Sequence, residues 1–296
     1  VLYIQKGKEG TPEVLLDPNT WSDDGTVKLS GYWFSNDYRY MAYGISRSGS
    51  DWVDFRVMDM SSRTLMKDSL SWIKFSGAQW HGKGFYYSRY DEPKEKDKAY
   101  SDINTGHKIY YHVLGDEQSK DKLIYQDTSK PKMFFSSWVS DDEKYHFLYK
   151  SGEGKGNALY FRNLVKGESD FTPITESHED QIWPIEIDGD RFILYTTKDA
   201  PNGRLVSATT ANPQVWSDVV PESKYTIDAS SSAGRKIFVT YLKDVVHETK
   251  VFDLTGKYLY NLELPGPGTV SVGGGKLTDK DIYYMFSTFS VPPTIY

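Results

Sequence analysis

The chain contains no cysteine. That excludes a disulfide framework and any cysteine-ligated zinc site, and it leaves the redox compartment open. Excess positive charge is missing too: 35 Lys and Arg stand against 41 Asp and Glu, a formal charge of −6. Nucleic acid is therefore not an expected partner, because a phosphate backbone demands clustered cations. The densest basic stretch, Lys94 to Lys98, is interleaved with Glu95 and Asp97 and reads as a solvated loop. No apolar run approaches the roughly 18 residues that span a bilayer, so no membrane partner is expected either. The opening V-L-Y-I-Q reads as a strand and not as a signal peptide. Cytoplasmic and periplasmic locations both stay open.

Also missing is any G-x-S-x-G, so the chain carries no nucleophile elbow. The nearest approach, Ser46-Arg47-Ser48-Gly49, lacks the leading glycine. The six histidines (His81, His107, His112, His146, His178 and His247) are scattered and read as surface or turn residues. His107 and His112 lie five apart across a strand, which puts them on opposite faces and argues against a shared metal. Gly152-Glu153-Gly154-Lys155-Gly156 lacks the Lys-Ser/Thr ending of a phosphate loop and reads as a flexible hairpin connection. Asp23-Asp24 and Asp141-Asp142 read as turn carboxylates that cap backbone N–H groups. No catalytic residue, metal or cofactor is expected in this chain.

What is abundant is aromatic residues, 15% of the chain with 23 Tyr and 8 Trp. They favour half-buried strands, where flat rings fit a pleated surface. Aromatic or apolar runs begin at Tyr40, Phe85, Tyr145, Phe192, Ile237 and Ile282, at intervals of 45, 60, 47, 45 and 45 residues. A period of roughly 40 to 50 residues built only of short strands is the signature of a β-propeller. Small residues precede most of these runs, as in Ser30-Gly31, Ser76-Gly77-Ala78, Ser136-Ser137 and Ala229-Ser230-Ser231. They suit inner strands crowded round an axis. Third runs (Phe55 to Met58, Lys108 to Tyr111, Ala158 to Phe161, Arg204 to Val206, Lys250 to Phe252) and fourth runs (Thr64 to Met66, Lys122 to Tyr125, Phe171 to Ile174, Gln214 to Trp216, Tyr258 to Tyr260) complete antiparallel quartets. Val1 to Gln5 and Glu13 to Asp17 read as the last two strands of a first blade, and Pro293 to Tyr296 as a shortened third strand of a last one. The expected fold is all-β: one seven-bladed β-propeller over residues 1–296, of four-stranded antiparallel blades, with the first and last blades incomplete. The interval of 60 is ascribed to a charged insertion from Asp91 to Gly106, expected as an exposed loop.

Four strings, in order along the chain, carry a resemblance. They are Val14 to Asn19 (V-L-L-D-P-N) with Ser22 to Val27 (S-D-D-G-T-V); Gly44 to Trp52 (G-I-S-R-S-G-S-D-W); Lys108 to Gly115 (K-I-Y-Y-H-V-L-G); and Phe286 to Tyr296 (F-S-T-F-S-V-P-P-T-I-Y). Together they resemble the propeller domain of the prolyl oligopeptidases, serine peptidases that cleave short peptides after proline. The resemblance implies a separate α/β-hydrolase domain holding Ser, Asp and His, all later in sequence than the propeller. It also implies that the propeller acts as a gating and size-selecting lid. By the same resemblance the loop with Asp51 and Trp52 faces the hydrolase domain, where Asp51 pairs with an arginine. The plain reading of Asp51 is an Asx-type turn residue beside a packed Trp52. Ser231 falls, within a residue, where mammalian members carry a substrate-side cysteine. A family position aromatic after the third blade falls near Asp127 or Thr128, neither of which is aromatic, so no role is carried over. The expected partners are the hydrolase domain and short proline-containing peptides. Two alternatives stand beside this: a free-standing propeller that binds proteins, and a propeller glycosidase or other enzyme with its site at the axis, which needs inward carboxylates on several inner strands.

Overall fold

The computed structural model describes residues 1–93 and 104–296. The basic stretch Lys94 to Lys98 and most of the expected insertion loop lie outside the described residues. The chain folds as two compact units, one of residues 1–139 and 143–152, the other of residues 140–142 and 153–296. Apart from single 3₁₀ turns at Pro18–Thr20 and Gln118–Lys120, the regular structure of the described residues is strand.

In the first unit β1 (Leu2–Ile4) pairs with β2 (Glu13–Leu16). A quartet follows: β3 (Val27–Phe34), β4 (Tyr40–Arg47), β5 (Val53–Asp59) and β6 (Thr64–Ile73), each antiparallel to the next. The next quartet is β7 (Gln79–His81), β8 (Gly84–Arg89), β9 (Lys108–Val113) and β10 (Lys122–Tyr125). Ile73 pairs with Arg89, which fuses the two quartets into one eight-stranded sheet. The hairpin of β11 (Phe134–Val139) and β12 (Tyr145–Ser151) ends the unit. The second unit opens with the hairpin β13 (Asn157–Asn163) and β14 (Thr172–Thr175). Two quartets come next: β15 (Ile182–Asp188), β16 (Arg191–Thr196), β17 (Arg204–Thr209), β18 (Ser217–Val220), and then β19 (Thr226–Ala233), β20 (Lys236–Lys243), β21 (Val246–Asp253), β22 (Tyr258–Asn261). A three-stranded sheet of β23 (Thr269–Val272), β24 (Tyr284–Ser287) and β25 (Thr294–Ile295) closes the chain.

The expected strand order holds, with corrections in detail. The fourth run placed at Gln214 to Trp216 is a turn, and the strand is β18. Trp216 donates its indole N–H to the Pro213 carbonyl (2.9 Å), so its ring closes the turn instead of lying in a ladder. The inner strand β15 escapes the small-residue pattern because it carries Pro184 and Glu186 at a register shift, the kind of place where a strand tolerates proline. The glycine run 152–156 is no loose connection. A Cβ on Gly156 would lie 1.9 Å from the Asp180 carbonyl oxygen, so only glycine permits this approach.

Apolar faces meet between successive quartets. Phe55, Leu70, Phe85 and Tyr87 form a dry layer in the first unit, and Ile193, Leu205, Ile237 and Val239 one in the second. Each such side chain contributes about 1.5–3 kcal/mol by leaving water. A polar device recurs beside these layers. His107 accepts the Phe135 N–H at Nδ1 (2.9 Å), and His247 accepts the Val270 N–H in the same way (3.0 Å). Asn157 exchanges two bonds with the backbone of Ile182 (2.9 and 3.2 Å), while Asn202 accepts Ile227 N–H at its carbonyl and Thr226 Oγ1 at its side chain. Each residue sits at or beside the start of a third strand and anchors the start of the next first strand. Where no ladder links one blade to the next, these bonds satisfy backbone groups that would otherwise be orphaned.

Candidate functional site

In an antiparallel quartet the connection from second to third strand and the connection from fourth strand to the next quartet lie at the same end. The β4–β5 turn, the 74–78 segment after β6, the end of β8 and the start of β9 therefore converge. The turn before Trp52 is tightly specified. Ser48 and Gly49 both have positive φ (49° and 71°), Ser46 Oγ donates to the Ser50 carbonyl (2.6 Å), and Trp52 N–H donates to Ser50 Oγ (3.0 Å). Ser50, not Asp51, is thus the turn's side-chain acceptor, and the Asx-turn reading of Asp51 is corrected. Asp51 is exposed, and no hydrogen bond or ion pair ties its carboxylate to a described residue.

Trp52 is half-buried at the centre of an aromatic cluster. Trp72 and Tyr90 meet it edge-on at 5.6 and 5.8 Å, and the Lys74 ammonium lies 4.6 Å from its ring centroid. The segment supplying Trp72 and Lys74 is strained: Trp72 (φ 62°) and Phe75 (φ 53°) are both non-glycine residues in the left-handed region. Such conformations cost on the order of 1–3 kcal/mol and persist only where the surroundings impose them. Here Tyr90 N–H donates to the Trp72 carbonyl (3.0 Å), His107 Nε2 donates to the Lys74 carbonyl (3.1 Å), and Ser88 N–H donates to Ser76 Oγ (2.7 Å). Burial lowers the His107 pKa to about 4, so its ring is neutral, and its bond to the Lys74 carbonyl opposes the shift only in part. The strained turn holds Phe75 outward, 59% exposed, edge-on to the exposed Phe134 at 5.4 Å. Sequence reasoning missed this pair. The one signal available was an aromatic flanking small residues, in K-F-S-G and M-F-F-S-S.

His112 carries the other polar centre of this unit. It is fully buried between Asp68 (Nε2 to Oδ1, 2.9 Å) and Asp121 (Nδ1 to Oδ1, 2.7 Å). Burial alone would lower the His112 pKa, but the two carboxylates outweigh it and raise the value to about 9. Burial likewise opposes ionisation of Asp68, yet the bonds from His112 and Gly115 N–H (2.6 Å) hold its pKa below the ordinary value. Tyr87 adds its hydroxyl to Asp121 (2.6 Å). In K-I-Y-Y-H-V-L-G, then, His112 and Gly115 (φ 83°) converge on one buried carboxylate that joins β6 to β9. The reading of the histidines as surface or turn residues is overturned for His107, His112 and His146, all buried. Desolvated imidazoles are retained because each finds two polar partners or one plus a stacking ring. His146 bonds Ser137 Oγ (2.8 Å) and stacks on Tyr86 at 4.0 Å.

In the second unit Ser231 lies on β19 opposite Phe238, half-buried. Its neighbour Ser232 donates to the Ile185 carbonyl (2.8 Å), and Ser230 Oγ is buried without a partner. Burial raises the Glu186 pKa, with Asp141 and Asp188 adding to the effect. The pair Asp141-Asp142 divides its roles. Asp142 accepts from Ser140 Oγ (2.7 Å) as a turn carboxylate, while Asp141 belongs to the field around Glu186. Among the described residues no group of three or more His, Asp or Glu is placed to hold a metal ion. Asp51 and Trp52 thus share one cluster, and Ser231 belongs to the other unit.

Comparison with known proteins completes the picture. A match over residues 1–296 is to the family described as "Prolyl oligopeptidase, N-terminal beta-propeller domain". The prolyl endopeptidase of Elizabethkingia meningoseptica is 38% identical over 299 residues, covering 100% of this chain and 42% of that protein. The prolyl endopeptidase of Dictyostelium discoideum is 28% identical over 344 residues, covering 98% of this chain and 45% of that protein. A solved prolyl endopeptidase structure aligns with a TM-score of 0.87 at 29% identity, covering 96% of this chain and 41% of the other. Prolyl oligopeptidase B from Galerina marginata aligns at 0.86 with 24% identity over 96% of this chain and 42% of the other, a likeness of fold. The fold is therefore a β-propeller, incomplete at its first and last blades. The chain belongs to the N-terminal propeller family of the prolyl oligopeptidases. It spans about two fifths of the length of the curated relatives it matches.

Proposed function

We propose that this chain is the propeller domain of a prolyl oligopeptidase-type serine endopeptidase, a single domain over residues 1–296 that gates access by size to an α/β-hydrolase domain cleaving short peptides after proline. The observation that carries the reading is the whole-chain family match, combined with relatives more than twice as long. Flexible peptides pass such a lid and folded proteins do not, and closure over the catalytic residues excludes water and strengthens local electrostatics. Asp51, a carboxylate without a partner among the described residues, suits a charge-assisted bond to an arginine of the hydrolase domain. Trp52 fixes the turn that carries it. The exposed pair Phe75 and Phe134 offers apolar contact to a bound peptide, and Ser231 lines a more polar substrate-side wall in the second unit.

The test uses the full-length protein. It is expected to cut a proline-containing peptide, to lose that activity with a serine-directed phosphonate, and to spare the same sequence inserted in a folded host. Asp51→Asn is expected to lower kcat/KM about tenfold, equivalent to one charged hydrogen bond, with thermal stability unchanged. Cleavage of the folded host at the peptide's rate would remove the gating role, and no cleavage of any proline peptide would remove the peptidase reading.

A further inference from the structure

Asn202 anchors one blade to the next, and the residue that follows it gives that anchor a second chemistry. Of the eight asparagines in the chain, Asn202 alone precedes a glycine. In an Asn-Gly pair no side chain hinders the glycine nitrogen on its approach to the asparagine Cγ, so the pair closes readily to a cyclic imide, one source of the thermolability of asparagine. The fold nevertheless demands both residues. Gly203 has φ 83°, and a Cβ there would lie 2.6 Å from the Tyr195 ring, itself stacked on Trp183 at 4.1 Å, so only glycine fits. Asn202 joins the β16–β17 turn to the 222–227 segment by four bonds. Its N–H donates to Glu222 Oε1 (2.7 Å) and its Nδ2 to the Ser223 carbonyl (3.2 Å), while it accepts Thr226 Oγ1 at Oδ1 (2.9 Å) and Ile227 N–H at its carbonyl (2.8 Å). The same bonds hold the pair unreactive. Both ends of the side-chain amide are drawn towards Ser223 and Thr226, and the Gly203 N–H is committed to the Ala200 carbonyl across the turn (2.8 Å).

We propose that Asn202-Gly203 is a fold-gated deamidation site, intact while the junction between the β16–β17 turn and the start of β19 is closed and converted once that junction opens. On opening, the Gly203 nitrogen bonds to Asn202 Cγ, the bond from Cγ to Nδ2 breaks, and the Gly203 amide proton leaves with that nitrogen as ammonia. Water then adds across one of the two imide C–N bonds and gives aspartate or isoaspartate. Nothing is oxidised or reduced. Either product is a carboxylate at neutral pH, with no hydrogen to donate to the Ser223 carbonyl and with the Glu222 carboxylate close by. Isoaspartate also routes the main chain through Cβ and Cγ, which displaces the carbonyl that accepts Ile227 N–H. The converted junction cannot remake its four bonds, so a transient opening becomes a permanent change.

The full-length protein in neutral buffer, the same protein in concentrated urea, and a synthetic peptide of Lys198 to Ser207 are incubated side by side. Peptide mapping by mass spectrometry follows the conversion of Asn202, and an isoaspartate-directed methyltransferase reports the rearranged product. The peptide and the urea sample are expected to convert at similar rates. The folded protein is expected to convert about a hundredfold more slowly, because reaction then waits on a local opening that breaks several bonds together. Gly203→Ala in the peptide should slow conversion sharply. Equal rates in the folded protein and the peptide overturn the gating, and an intact Asn202 in urea overturns the site. The consequence is read on wild type converted in urea, refolded and separated by its added charge, and on Asn202→Asp. Both are expected to show a lower urea midpoint than unconverted wild type and faster amide exchange at Ile227. A midpoint and an exchange rate equal to those of unconverted wild type sink the claim that the junction is lost. No readout involves peptide cleavage, so the outcome is independent of the peptidase reading.

Discussion

At the scale of single residues, the buried His112 network makes the sharpest prediction. A cation between two carboxylates has been taken out of water, so removing one partner leaves uncompensated charge and costs about 3–5 kcal/mol. His112→Ala is expected to lower the urea midpoint accordingly. The pH dependence follows from linkage. The folded pKa of His112, about 9, lies above the ordinary value of 6.5. Its contribution is complete below about pH 6.5, shrinks as pH rises, and is gone once pH passes about 9. Asp68 is shifted the other way, below 3.8, so its contribution is present above that value and is lost as the solution becomes more acidic. The stability difference between wild type and His112→Ala should therefore be largest between about pH 4 and 6.5 and should narrow towards pH 10. A difference that stays flat from pH 6 to 10 would show that the imidazole is neutral when folded. In the sequence this histidine read as a surface or turn residue and as one letter of a matching string. Asp68 and Asp121 lie 44 and 9 residues away in sequence, and no spacing rule joins them.

At the scale of elements, the four anchoring residues His107, Asn157, Asn202 and His247 recur at intervals of 50, 45 and 45 residues. That is the blade period itself, so the signal was present but unrecognised: aromatic runs drew attention and single polar letters did not. Trp52 holds the corresponding place before β5, where a ring replaces the polar side chain. At His107 and Asn157 a side-chain acceptor takes a backbone N–H, so the chemistry should be transferable. His107→Ala is expected to cost about 1–3 kcal/mol, since the buried Phe135 N–H loses its acceptor. His107→Asn should recover part of that loss, as Asn157 does the same task at the next blade. Urea unfolding with amide exchange at Phe135 checks both, and equal loss in the two variants would reduce His107 to a packing residue. Element boundaries were the least legible feature. β6 runs ten residues where only Thr64 to Met66 stood out, because its second half buries Asp68, Leu70 and Ile73 without a regular apolar alternation.

At the scale of the whole molecule, a chain with regular structure almost wholly of strands has spent its polar chemistry on joining blades. His112 ties β6 to β9, His107 and His247 each hold the next first strand, and the Ser137–His146 bond lies beneath Tyr86. None of these groups presents a nucleophile with a free base to solvent. The isolated 296-residue chain is accordingly expected to leave a proline-containing chromogenic peptide intact from pH 5 to 9. Turnover abolished by Ser137→Ala would contradict this. Activity in this family's longer members would then have to be sought partly within the propeller.

The sequence alone determined the architecture, because a propeller writes its period into the chain: each blade is a local quartet whose alternating apolar faces and polar turns repeat every 45 residues or so. It also determined the family, since ordered strings such as S-G-S-D-W survive as letters. The candidate site was decided only by the tertiary structure. Trp52, Lys74, Phe75, Tyr90 and Phe134 come from four separate stretches, brought together because alternate turns of neighbouring antiparallel quartets emerge at one end. Burial was decided there as well, since whether a histidine is wet or dry depends on what packs over it and not on its neighbours in sequence.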